Sequence, residues 1–153
     1  DLFNDDISLM SPVMYQKFFL QYEQELSDFF GGIYYWHSCG DIAPHVSAIH
    51  ELTDIDILDF GVTMESKRVG ISGLNRNQIL ELRVKAQNHV QECTEEESKD
   101  YIKEILSECK EAGIDKYVLR SSGMSIVKGA SEDVRKLARW VELVRDVQAE
   151  GTK

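Results

Sequence analysis

His37 and Cys39 stand two positions apart in the run His37-Ser38-Cys39-Gly40-Asp41 and are the residues of this chain best suited to chemistry. With one residue between them on an extended or turning segment, an imidazole and a thiolate can converge on one ion, and that nitrogen and sulfur pair suits zinc. Zinc takes at least three protein ligands, with a fourth position open where the ion is catalytic, so two residues are only part of a site. Three other segments collect polar residues of useful types: Asn4-Asp5-Asp6, Asn88-His89 to Cys93, and Arg120-Ser121-Ser122-Gly123. His45 and His50 fall within a helical pattern and read as packed or exposed histidines. Cys109 belongs to an apolar stripe, where a thiol behaves as a small core residue.

Regular elements must hold these segments in place. Ser11 and Pro12 start a helix, the hydroxyl as cap and the proline lacking an N–H that a first turn leaves unpaired anyway. Met14, Phe18, Tyr22, Leu26 and Phe30 then recur every four residues as an apolar ridge, and Gly31-Gly32 stops it, so one helix is expected from about Pro12 to Phe30. Ile33 to Trp36 is continuously apolar, as a parallel strand covered on both faces would be, and ends at His37. Asp41 can cap a second helix carrying Ile42, Val46 and Ile49. Ile55 to Phe60 reads as a second strand closed by Gly61, and Thr63 to Asn77 as helix or turn.

Ile79 to Ala86 includes a third strand, and Gln87 to Cys93 is a polar loop. Thr94-Glu95-Glu96-Glu97 is a capping box opening a helix whose Ile102, Ile105, Leu106 and Cys109 share one face, before Gly113 ends it. Tyr117-Val118-Leu119 is a fourth strand, and Ser131 caps a last helix bearing Val134, Leu137, Ala138, Val141 and Val144. Four strands alternating with helices imply an α/β fold with a parallel sheet and right-handed crossovers. Active sites in such folds lie at the carboxyl ends of the strands, where these polar segments fall.

At 153 residues the chain has room for one domain but not for a complete eight-unit barrel, which takes roughly 250. An apolar fraction of 42% is enough for a real core. Against 27 acidic side chains there are 17 Lys and Arg, a net charge of -10, which repels nucleic-acid phosphates and anionic membranes. No run of about 18 apolar residues offers a membrane span, and the acidic start is unlike an export signal, so a cytoplasmic location is expected. Three cysteines, an odd number, fit a reducing compartment. The first residue is Asp1, not Met, and the chain is expected to be a fragment of a longer one.

The run SPVMYQKFFLQYEQELSDFFGGIYYWHSCGDI, with NDD before it, resembles the C-terminal half of the uroporphyrinogen decarboxylase superfamily. The likeness continues through TEEESKDYIKEILSECKEAG, YVLRSSG and the closing helix. It implies half of a (β/α)8 barrel, four parallel strands beginning in the loop after the barrel's fourth. The missing strands would come from an N-terminal half or a second copy of this chain. The methyltransferase branch is the closer one, and there the matching H-x-C pair supplies two zinc ligands, His37 and Cys39. The resemblance then implies a zinc-assisted methyltransferase working with a corrinoid protein or a thiol acceptor. That branch's third ligand, a cysteine after the last strand, would fall at Ser121 or Ser122, so Cys93, His89 or a group outside this segment would have to complete the set. Asp5, Asp6 and Asp41 would orient His37 or the substrate, with His89, Arg120 and Ser122 left to bind substrate. The alternatives are a decarboxylase of tetrapyrrole biosynthesis, with Arg120 gripping a carboxylate, and a non-catalytic half-barrel.

Overall fold

A computed structural model describes residues 1–59, 61 and 78–151. Contacts among them form two compact units, residues 1–83 with 112–120, and residues 84–111 with 121–153. The chain is α/β, with helices among its described connections and a five-stranded sheet: β1 (Leu2–Phe3), β2 (Ile33–His37), β3 (Ile55–Asp59), β4 (Ile79–Val84) and β5 (Tyr117–Ser121). Their spatial order is their chain order. The first four pair in parallel. Leu80 N–H donates to the Lys116 carbonyl and Ser122 N–H to the Val84 carbonyl, so β5 rises in the same sense. The fifth strand corrects the expected four. Leu2-Phe3 is too short to show a periodicity in sequence, yet it pairs Leu2 with Trp36 and Phe3 with His37.

Register sorts the first unit into two rows. Leu2, Trp36, Leu58 and Leu80 are cross-strand partners, and the last three are fully buried. The next row is Phe3, His37, Asp59 and Glu81. Successive strand residues point to opposite faces, so the hydrocarbon row and the polar row lie on opposite sides of one sheet.

The expected helix from Pro12 to Phe30 is two helices, α1 (Pro12–Phe18) and α2 (Leu20–Phe30), broken at Phe19 where φ is -122° and ψ -45°. Ser11 does cap α1, accepting from Met14 N–H at 3.2 Å. The apolar ridge, however, faces outward: Tyr15, Leu20, Glu23 and Ser27 are the buried residues. The reason is a polar demand beneath the helices. Glu23 accepts from Tyr15 Oη at 2.8 Å and Trp36 Nε1 at 3.0 Å, satisfying two donors that would otherwise be stranded in the core. The second helix is a 3-10 turn, Ala43–His45, running into one α-turn, α3 (Val46–Ile49), with His50 as its C-cap. His45 is buried and its Nε2 bonds the Met10 carbonyl at 2.9 Å, a structural role. Phe60 and the expected helix or turn at 63–77 lie outside the described residues.

In the second unit, Gln87–Gln91 forms a π-helical turn in place of the expected loop. The capping box forms as read: Glu97 N–H donates to Thr94 Oγ1 at 3.2 Å and Thr94 N–H to Glu97 Oε2 at 2.8 Å. It opens α4 (Glu95–Glu111), which buries Ile102, Ile105 and Cys109. The last helix, α5, spans Ala130–Gly151, so Ser131 sits inside it and does not cap it. Its buried side is Asp133, Trp140, Leu143 and Val147, while Val134 is 65% exposed. Asp133 Oδ2 accepts from Val127 and Lys128 N–H groups, which fixes the buried side one position from the expected stripe. Among the described residues no helix is long and apolar enough to cross a membrane.

Candidate metal-binding site

His37 closes β2, only 4% exposed, and faces its row partner Asp59, which is fully buried. Nδ1 lies 2.6 Å from Asp59 Oδ2. A carboxylate can only accept, so Nδ1 carries the proton and the Nε2 lone pair points the other way. Cys39 Sγ stands 2.9 Å from Nε2 and Asp5 Oδ1 3.7 Å from it. The three potential ligand atoms lie within 4.8 Å of one another, and Asp5, His37 and Cys39 are the group with that spacing among the described residues.

The segment carrying Asp5 is fastened to β2. Asn4 N–H donates to the His37 carbonyl at 2.9 Å, and Asn4 Nδ2 to Glu23 Oε1 at 2.5 Å. Cys39 N–H donates to Asp5 Oδ1 at 2.7 Å. Gly40 lets this close approach happen, since a Cβ there would sit 2.4 Å from the Ser8 side chain. Past β3, Gly61 adopts φ +75°, its N–H bonds Asp59 Oδ1 at 2.9 Å, and a Cβ would meet the Ser38 carbonyl at 3.0 Å.

Behind the site runs a charged network. Arg83 Nη2 lies 2.5 Å from Asp59 Oδ2 and 3.2 Å from Glu81 Oε1. Tyr35 Oη bonds both carboxylates, at 3.0 and 3.1 Å. Burial, with Asp59 beside it, pushes the Tyr35 hydroxyl far above its usual range, so it stays a donor. For Arg83, burial works against the charge, but Asp59, Tyr35 and Glu81 outweigh it and hold the guanidinium above its ordinary value. Burial, then the Asp5 carboxylate, push the Cys39 thiol up. Asp59 and Glu81 are thus matched by two guanidiniums, Arg83 and Arg120, and a divalent cation would balance Asp5 together with a Cys39 thiolate.

Of the residues expected from sequence, the structure brings Asp5, His37 and Cys39 together. Asp5 stands on the ligand side of the imidazole, and the orienting role expected of it belongs to Asp59. Asp6 is exposed in the 3-10 turn Asp5–Leu9 and outside the group. Asp41 is exposed and accepts from Ala43 N–H at 3.2 Å, a turn-capping role. Arg120 is committed to Glu81 at 3.3 Å. His89, Cys93 and Ser122 belong to the second unit, each with local contacts. The His89 ring stacks on Tyr101 at 3.6 Å, the Cys93 carbonyl accepts from Lys136 Nζ at 3.2 Å, and Ser122 Oγ accepts from Ala86 N–H at 3.0 Å. Burial raises the Cys93 thiol as well. Asp59, Glu81, Arg83 and Tyr35 escape a motif search; the signal for Glu81 and Arg83 is alternate charges inside an otherwise apolar strand. Compared with known proteins, the chain matches no family model, no curated protein and no solved structure.

Proposed function

We propose that this chain carries the zinc-binding half of an α/β-barrel methyltransferase of the kind its sequence resembles, with Asp5, His37 and Cys39 as ligands. The observation that carries the reading is an imidazole nitrogen, a thiol sulfur and a carboxylate oxygen converging within 4.8 Å, with a buried carboxylate fixing the far side of the imidazole. A carboxylate behind a ligating histidine is the usual way proteins orient such a ring and strengthen it as a donor. Three protein ligands leave a fourth position for substrate, the pattern of catalytic zinc sites.

The barrel is supported by strand order. Sequential parallel strands joined by right-handed crossovers place every helix on one face of the sheet, and closing the sheet on itself is what shelters the other. Tyr35, His37, Asp59, Glu81 and Arg83 would then line the interior. The remaining strands would come from an N-terminal half or a second copy.

Bound zinc supplies Lewis-acid stabilisation of negative charge on a sulfur nucleophile or a poor leaving group. The chain's own part is positional. Asp59 holds the Nδ1 proton so that Nε2 faces outward, and the bond from Cys39 N–H fixes Asp5. The partner is read as a corrinoid protein or a thiol acceptor, with the cytoplasm as the setting that keeps Cys39 reduced. A bare Cys39–His37–Asp59 nucleophile has the right spacing, but a thiol held above its ordinary pKa is a poor one without a cation. A decarboxylase has less support, because the guanidiniums that would grip substrate carboxylates, Arg83 and Arg120, are engaged by Asp59 and Glu81.

The test is titration of the chain with Co(II) as a zinc surrogate. A thiolate-to-cobalt absorption band that Cys39→Ser abolishes supports the reading, and its absence in the unaltered chain refutes it.

A further inference from the structure

Glu23 is turned inward from α2 and buried on the Trp36 side of the sheet, the side away from His37. Both of its oxygens are used. Oε2 accepts from Tyr15 Oη at 2.8 Å and Trp36 Nε1 at 3.0 Å, and Oε1 accepts from Asn4 Nδ2 at 2.5 Å. These donors are neutral, and keeping a carboxylate out of water on neutral donors is costly where a leucine would suit the apolar row beneath. What the donors adjoin accounts for it. Asn4 immediately precedes Asp5 and Trp36 immediately precedes His37, two of the three residues whose ligand atoms converge. Asn4 also gives up a local task. It stands at the N-cap of the 3-10 turn Asp5–Leu9, where an asparagine side chain ordinarily accepts from a first-turn N–H, yet it makes no such bond and its amide reaches Glu23 instead. With its own N–H on the His37 carbonyl at 2.9 Å, Asn4 is held by backbone and side chain together, and Asp5 Oδ1 is set against Cys39 N–H at 2.7 Å.

We propose that Glu23 and Asn4 are positioning residues of the metal site: from the far side of the sheet, Glu23 holds the Asn4 amide and the Trp36 indole so that Asp5 and His37 keep the spacing that one ion requires. This role rests on Asp5, His37 and Cys39 being the ligands. Neither Glu23 nor Asn4 touches the ion; both act through the residues that do.

The experiment is Co(II) titration of the full chain and its variants, with circular dichroism and urea denaturation showing that each is folded. Asn4→Ala cuts the tie to Glu23, spares the backbone bond to His37, and should lower Co(II) affinity about tenfold. In an Asp5→Asn background, where that ligand is already weakened, Asn4→Ala should add much less. Exchanging the partners keeps the tie with its polarity reversed. In Asn4→Asp with Glu23→Gln, the amide nitrogen at position 23 donates to the carboxylate at position 4, and the amide oxygen still accepts from Tyr15 and Trp36. The exchanged pair should bind Co(II) more tightly than Asn4→Asp alone, in which two carboxylates face each other. Tyr15→Phe takes a different donor from Glu23, one that adjoins no ligand, and should lower the urea midpoint with Co(II) affinity unchanged. Three results overturn the role of Glu23 and Asn4 while leaving the ligands standing: a Co(II)-binding chain indifferent to Asn4→Ala, a loss in Tyr15→Phe as large as in Asn4→Ala, or an exchanged pair no better than Asn4→Asp alone. No Co(II) binding by the unaltered chain overturns both.

Discussion

Leu58 and Asp59 are neighbours in β3, both fully buried, and each anchors a row that crosses the first unit. On one face Trp36, Leu58 and Leu80 fill space with hydrocarbon. On the other, His37, Asp59 and Glu81 with Arg83 keep charges out of water, a costly arrangement that hydrocarbon of similar volume often replaces without loss of stability. The difference teaches where folding ends and function begins. The apolar row is what a parallel sheet needs to bury, whereas the polar row sets a buried carboxylate against one imidazole.

Exchanging these two neighbours should split stability from metal binding. Asp59→Ala removes the buried carboxylate shared by Arg83, Tyr35 and His37, leaves Arg83 with Glu81 alone, and frees the imidazole, so it should cost about 3–5 kcal/mol by urea denaturation and also abolish tight Co(II) binding. Leu58→Ala should cost about 2–5 kcal/mol by the same measurement, leaving Co(II) affinity unchanged in the folded protein. If both variants lose metal equally, the rows are not functionally distinct.

A gentler substitution sharpens the contrast. Asp59→Asn keeps the shape but replaces an ionised acceptor with an amide, and should weaken Co(II) binding about 10–100-fold in equilibrium titration. Thr94→Ala, in the second unit, removes the hydroxyl that caps α4 and should cost about 1 kcal/mol in denaturation, with no change in metal affinity. The smallest effect is on the metal-free thiol. Burial and Asp5 favour the neutral form of Cys39, so iodoacetamide should alkylate it slowly at neutral pH. Its rate should rise through a midpoint above the usual thiol range, and Asp5→Asn should bring that midpoint down.

Features set by local chemistry were legible in the sequence. The H-x-C pair, the capping box at Thr94 to Glu97 and the bodies of β2 to β5 each rest on a few adjacent residues. Features set by register were not. Asp59 reaches His37 from 22 positions away, and nothing in either segment alone announces that pairing. The outward face of α1 and α2 was not legible either, because a four-residue period marks an apolar stripe without saying what it meets; Glu23, which accepts from Tyr15 and Trp36, is the side chain turned inward. Asp5 was visible as a candidate, but its side of the imidazole depends on the short strand Leu2–Phe3.

Metal stoichiometry of the purified chain, measured with the Co(II) spectrum of the same sample, tests the central claim most directly. The account predicts one ion per chain and a thiolate-to-cobalt band, lost in Cys39→Ser and His37→Ala and weakened in Asp5→Asn. Binding that survives both Cys39→Ser and His37→Ala, or no binding by the unaltered chain, would contradict it.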